Sequence, residues 1–115
     1  MSSAPIDLAT FEELKATAGG EFVRKLFDTF LTEAPAMLED LRSSLAANDA
    51  DRFRRAAHSL KSNSNTFGAL ALAGMARKLE MEGMGPVRDG RGAPLDALAL
   101  EYQRVSLALT ELKRA

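Results

Sequence analysis

An all-α fold is predicted for this chain: an antiparallel up-and-down four-helix bundle with a short additional N-terminal helix. Three observations carry the prediction. Apolar residues recur at spacings of three and four along four long stretches, as they do on a helix face laid against a core. No stretch shows the alternating, β-branched pattern of a strand. The turn-forming residues gather between the periodic stretches and leave short connections, the kind that join antiparallel neighbours in a bundle. With 115 residues, 46% of them apolar and 27% charged, the chain has the size and balance of one soluble domain with one core. Residues 1–115 are read as that domain.

The short first helix opens at Asp7, a good N-cap, with Ile6 before it and Phe11 four positions into the helix, placed to clamp as a hydrophobic staple. Gly19-Gly20 stops it, and it is expected to lie as a lid over one end of the core. The second helix should run from about Glu21 to Ala47, with Val23, Leu26, Phe27, Phe30, Ala34, Met37, Leu38, Leu41 and Leu45 facing inward. Pro35 falls inside this pattern. Without flanking turn residues it reads as a kink in one helix, in preference to a break between two.

Asn48-Asp49 makes a tight connection, and Asp49 can cap a third helix continuing to Phe67. A fourth follows from Ala69 to about Glu82, its inner face of Leu72, Ala73, Ala76 and Leu79 small enough to let a neighbour come close. Gly83, Gly85-Pro86, Asp89-Gly90, Gly92 and Pro94 form the one strong breaker cluster, read as an exposed, mobile loop carrying Arg88 and Arg91. The last helix keeps Leu95, Leu98, Tyr102, Val105, Leu109 and Leu112 on one face.

Composition excludes several classes of function. There is no cysteine, so disulfides, thiolate chemistry and cysteine-based zinc sites are out. One histidine excludes a multi-histidine site, and no carboxylate cluster supports a metal site of another kind; no metal ligand is assigned. A formal net charge of −1 gives no reason to expect nucleic acid or a membrane surface as partner. Met1-Ser2-Ser3-Ala4-Pro5 lacks the basic and apolar runs of a signal peptide, and no apolar run approaches the ~20 residues of a membrane span. A cytoplasmic, monomeric module is expected. Neither G-x-x-x-x-G-K-[ST] nor G-x-G-x-x-G occurs, so the chain should not bind ATP or phosphorylate itself, and it is not read as an enzyme.

What remains is the third helix. Phe53, Ala56, Ala57, Leu60, Ser64 and Phe67 share one stripe. His58 points roughly 140° from the centre of that stripe at 3.6 residues per turn. Arg54, Lys61, Ser62 and Asn65 point the same way, at spacings where side chains touch on a helix surface. The sequence thus presents an imidazole to solvent, ringed by cations and by hydroxyl and amide donors. A neutral imidazole nitrogen is a good nucleophile toward phosphorus near neutral pH, and Lys61, Arg54 and Arg55 disfavour a further positive charge beside them.

His58-Ser59-Leu60-Lys61, a run of small polar residues and then Gly68-Ala69 resemble the signature of histidine-containing phosphotransfer (HPt) domains. Ile6-Asp7-Leu8, Phe30-Leu31 with Ala34-Pro35, Asn48-Asp49 and Leu79-Glu80 are similar to further family positions, so the resemblance spans nearly the whole chain. It implies that His58 accepts a phosphoryl group from, and passes it to, an aspartate on the receiver domain of a response regulator or hybrid sensor histidine kinase. By their placement Lys61, one turn along, can supply charge to a phosphorylated ring, and Ser62 and Asn65 can donate hydrogen bonds. Gly68 ends the helix, and Arg54 and Arg55 read as surface charge that also aids docking. No cofactor would be bound by this chain; the Mg²⁺ of the reaction would sit on the partner's receiver domain. Ser62 stands where the family usually has glycine, the best support for an alternative, a helical adaptor that has lost phosphotransfer. Glu80 reads equally as a polar neighbour of the site or as plain surface.

Overall fold

The computed structural model describes residues 5–114, with side chains through residue 112. The reading of the extreme N-terminus as lacking a leader falls on residues 1–5, of which 1–4 lie outside the described part. The described residues form helices α1 (Leu8–Ala18), α2 (Gly20–Ala46), α3 (Ala50–Thr66), α4 (Leu70–Glu82), α5 (Gly85–Asp89) and α6 (Ala93–Arg114), with no strand among them. Helices α2, α3, α4 and α6 form the bundle. α3 packs between α2 and α4, and α6 closes the ring against the same two. Along α2 and α6, Arg42 pairs with Asp96 while Tyr102 reaches Leu31. One number falls as the other rises, as antiparallel neighbours require.

Asp7 caps α1 as expected, its carboxylate accepting from the Thr10 backbone N–H at 3.2 Å, and both Ile6 and Phe11 are buried. The lid is fastened by the Asp7 N–H, which donates to the Gly68 carbonyl at 2.7 Å. α2 runs as one helix through Pro35. Proline has no N–H for the carbonyl four residues back, and that carbonyl, on Leu31, instead accepts a long hydrogen bond from the Tyr102 hydroxyl at 3.4 Å. Phe11, Phe27, Phe30, Phe67 and Tyr102 stack in a chain of ring contacts 5.2 to 5.9 Å apart under the lid. The edge-on and tilted pairs are the arrangements that ring quadrupoles favour.

The breaker-rich segment is largely exposed, as expected, but it is not a plain loop. Residues 85–89 make the short α5, with Pro86 in its first turn and Val87 fully buried. Arg88 donates to the Leu45 carbonyl at 2.9 Å and to Asn48 Oδ1 at 3.0 Å. One apolar anchor and one arginine tie the segment to the α2–α3 turn. α6 begins two residues before the periodic face does, because Pro94 fits a first helical turn, where no N–H is needed.

Candidate functional site

The outward face of α3 is fixed by its inward one. Phe53, Ala56, Ala57, Leu60 and Ser64 are buried, which turns Arg54, His58, Ser62 and Asn65 to solvent. On α4 the small Ala73 and Ala76 face the core, and the two helices lie close enough for side chains to bridge between them. Glu80 makes the bridge. Its Oε2 lies 2.8 Å from His58 Nδ1, and its Oε1 accepts from Lys61 Nζ at 2.7 Å. The His58 side chain is 58% exposed, whereas those of Glu80 and Lys61 are only 19% and 24% exposed. An open imidazole thus stands on a shielded ion pair.

The Lys61 ammonium, bonded to Glu80, holds the carboxyl below its ordinary range. Partial burial opposes this, and the hydrogen bond to His58 adds to it. At neutral pH Glu80 is therefore a carboxylate, which can only accept, so the neutral ring must place its proton on Nδ1. Nε2 is left with a free lone pair directed away from Glu80.

The other expected residues are placed less directly. Lys61 is one turn from His58, yet its ammonium is spent on Glu80. Arg54 pairs with Asp51 at 2.8 Å and Arg55 lies 3.9 Å from the same carboxylate, so the basic ring is partly neutralised. Arg54, Arg55, His58, Ser59 and Glu80 line a shallow cleft beside the imidazole. Ser62 and Asn65 are exposed on the same side, but among the described residues neither side chain bonds to the ring. Gly68 lies at the other end of α3 and acts on the fold. Its φ is +82°, and a Cβ there would stand 2.8 Å from the Asp7 carbonyl and 3.0 Å from Thr10 Cβ.

Sequence reasoning left Glu80 undecided. The signal that could have settled it was the small inner face of α4, which brings an acidic residue within reach of a histidine and a lysine. Among the described residues, no group of three or more His, Asp or Glu side chains could hold a metal ion. No described helix is long and apolar enough to cross a membrane.

The described residues thus form a helical bundle that presents one braced, solvent-facing histidine. A sequence model of the Hpt domain matches residues 25–115, and the chain belongs to that family. Among solved structures it is similar to histidine-containing phosphotransfer protein B (HptB) from Pseudomonas aeruginosa PAO1. The two share 27% sequence identity, the match covers 98% of this chain and 97% of that one, and the TM-score is 0.83. A search of curated proteins gives no match. As an Hpt protein, the chain is a phosphorelay carrier in two-component signalling.

Proposed function

We propose that His58 accepts a phosphoryl group on Nε2 from an aspartyl phosphate of a receiver domain and returns it to such an aspartate. The observation that carries this reading is the Glu80 carboxylate on Nδ1, which orients the ring and leaves the outward nitrogen as nucleophile. Phosphoryl transfer asks little covalent work of a protein beyond a placed nucleophile and charge to offset the phosphate. Even paired with Glu80, Lys61 offsets that charge from one turn away, and Ser62 and Asn65, exposed on the same side, are the further hydrogen-bond donors on this face. The Mg²⁺ of the reaction is supplied by the receiver. With no phosphate-binding loop of its own, the protein depends on a phosphorylated partner and does not phosphorylate itself from ATP.

The receiver docks over the exposed face of α3. Arg54 and Arg55 give a basic rim, while Leu8 on α1 and Met81 next to Glu80 are exposed apolar side chains that add contact at its edges. Contacts of this transient kind usually bury less than about 1,200 Å². The test is incubation with a phosphorylated receiver domain. The parent protein should acquire acid-labile, base-stable phosphate, and His58→Gln should remain helical and acquire none. Histidine-type phosphate on that variant would refute the assignment. A parent protein that takes up no phosphate from any receiver of its source organism would leave the adaptor reading in its place.

A further inference from the structure

The contact between Glu80 and Nδ1 has a second consequence once the ring is phosphorylated; this inference rests on His58 being the carrier. When the Nε2 lone pair attacks an aspartyl phosphate, the Nε2–P bond forms and the P–O bond to the aspartate breaks, freeing that carboxylate. No proton leaves the ring in this step. The product holds both the phosphoryl group and the Nδ1 proton, and the ring carries a positive charge. If that proton then escapes to solvent, the phosphoryl group is left on a neutral ring. The difference decides the return step. Breaking Nε2–P in the protonated ring releases neutral imidazole, whereas breaking it in the deprotonated ring must release imidazolate, a far poorer leaving group.

The charges around the ring pull in opposite directions. From α3, Arg54, Arg55 and Lys61 disfavour a cationic imidazole. From α4, Arg77 and Lys78 are further cations and Glu82 a further carboxylate on the same helix, but among the described residues it is the Glu80 carboxylate that contacts the ring. From α2, Asp40 is held by Arg52 at 2.7 Å. Asp51 is shared by Arg54 and Arg55. Among the described residues Glu80 alone pairs with Nδ1, at 2.8 Å and from a position 19% exposed, where its charge is less screened than that of a surface group. We propose that Glu80 is a positioning residue that retains the Nδ1 proton in phosphorylated His58 and so keeps the phosphoryl group transferable. It touches neither phosphorus nor the partner and acts through the ring.

The test uses the full chain labelled on His58 with phosphoramidate, a small donor whose P–N bond breaks with release of ammonia. The Nδ1 proton is followed by ¹⁵N NMR as pH is raised, and phosphoryl loss to water is timed across the same range. An opposite charge in direct contact moves such an equilibrium by one unit or more. The parent should keep the proton to a pH at least about one unit above that of free Nε2-phosphohistidine, and Glu80→Gln should lose most of this difference. At a fixed pH above the midpoint, phosphoryl loss from Glu80→Gln should be about tenfold slower, since one unit corresponds to a factor of ten. A parent titration matching free phosphohistidine would overturn the proposal, and this comparison needs no variant to fold. Coincident titrations of a folded Glu80→Gln and the parent would overturn it equally. If phosphoramidate does not label His58, a phosphorylated receiver domain is used as donor; failure of both is a different result, which removes the carrier reading and this inference with it.

Discussion

Glu80 divides its two oxygens between an imidazole and an ammonium, and that division governs what substitutions at the site should do. Lys61→Ala removes the ammonium that pairs with Glu80 one helical turn from His58. Transfer from a phosphorylated receiver should slow by about one to two orders of magnitude, as expected when a group stabilising developing charge is lost. Rates equal to those of the parent would reduce Lys61 to a solvated brace for Glu80. The pair also ties stability to pH. Because the Glu80 carboxyl is held below its ordinary value of 4.5, its contribution is fully present above that pH and is lost as pH falls through the depressed value. The difference in melting temperature between the parent and Glu80→Gln should therefore persist from neutral pH down to about 4.5 and shrink below it. A difference that is constant to pH 2 would mean that the carboxylate's charge contributes nothing. His58 and Lys61 were legible in the sequence because spacing on a single helix places them. Glu80 was not, because its role depends on how close α4 approaches α3, a property of two helices at once.

Helix boundaries and caps were legible wherever a local rule decides them. Asp7 and Asp49 both accept the backbone hydrogen bonds expected of N-caps, and the inward faces of α2, α3 and α4 are the ones their periodicity marks. The 83–94 segment was not legible, since its many glycines and prolines outweighed a single buried Val87 and one arginine reaching another turn. Gly68 combines both kinds of information. Its place after α3 reads as helix termination, but the structure adds a left-handed backbone and the close approach of α1. Gly68→Ala should therefore destabilise the fold by at least about 1–2 kcal/mol from the backbone conformation alone, with the clash against Asp7 adding to it. Urea unfolding measures this loss. A change under about 0.5 kcal/mol would mean that α1 does not seat against α3 as described.

Across the whole molecule, stability and chemistry occupy different parts of α3. The aromatic stack under the α1 lid centres on Phe67, and His58 lies nine residues earlier, about 14 Å along the helix at 1.5 Å per residue. The bundle holds α3 and α4 in fixed register, and that register places Glu80 against Nδ1. The all-α class and the ring of four helices followed from periodicity and breakers, because local patterning and global packing agree here. The direction in which the imidazole is held did not, because it depends on a contact between residues of two helices that lie 22 positions apart in sequence. The proposed phosphoryl chemistry therefore turns on one nitrogen. The most direct measurement is phosphorus–nitrogen coupling in the ¹⁵N-labelled, phosphorylated protein. The expected result is a single phosphorus coupled to Nε2 of His58, with Nδ1 still bearing its proton. Coupling to Nδ1, or phosphorus on any other residue, would contradict it.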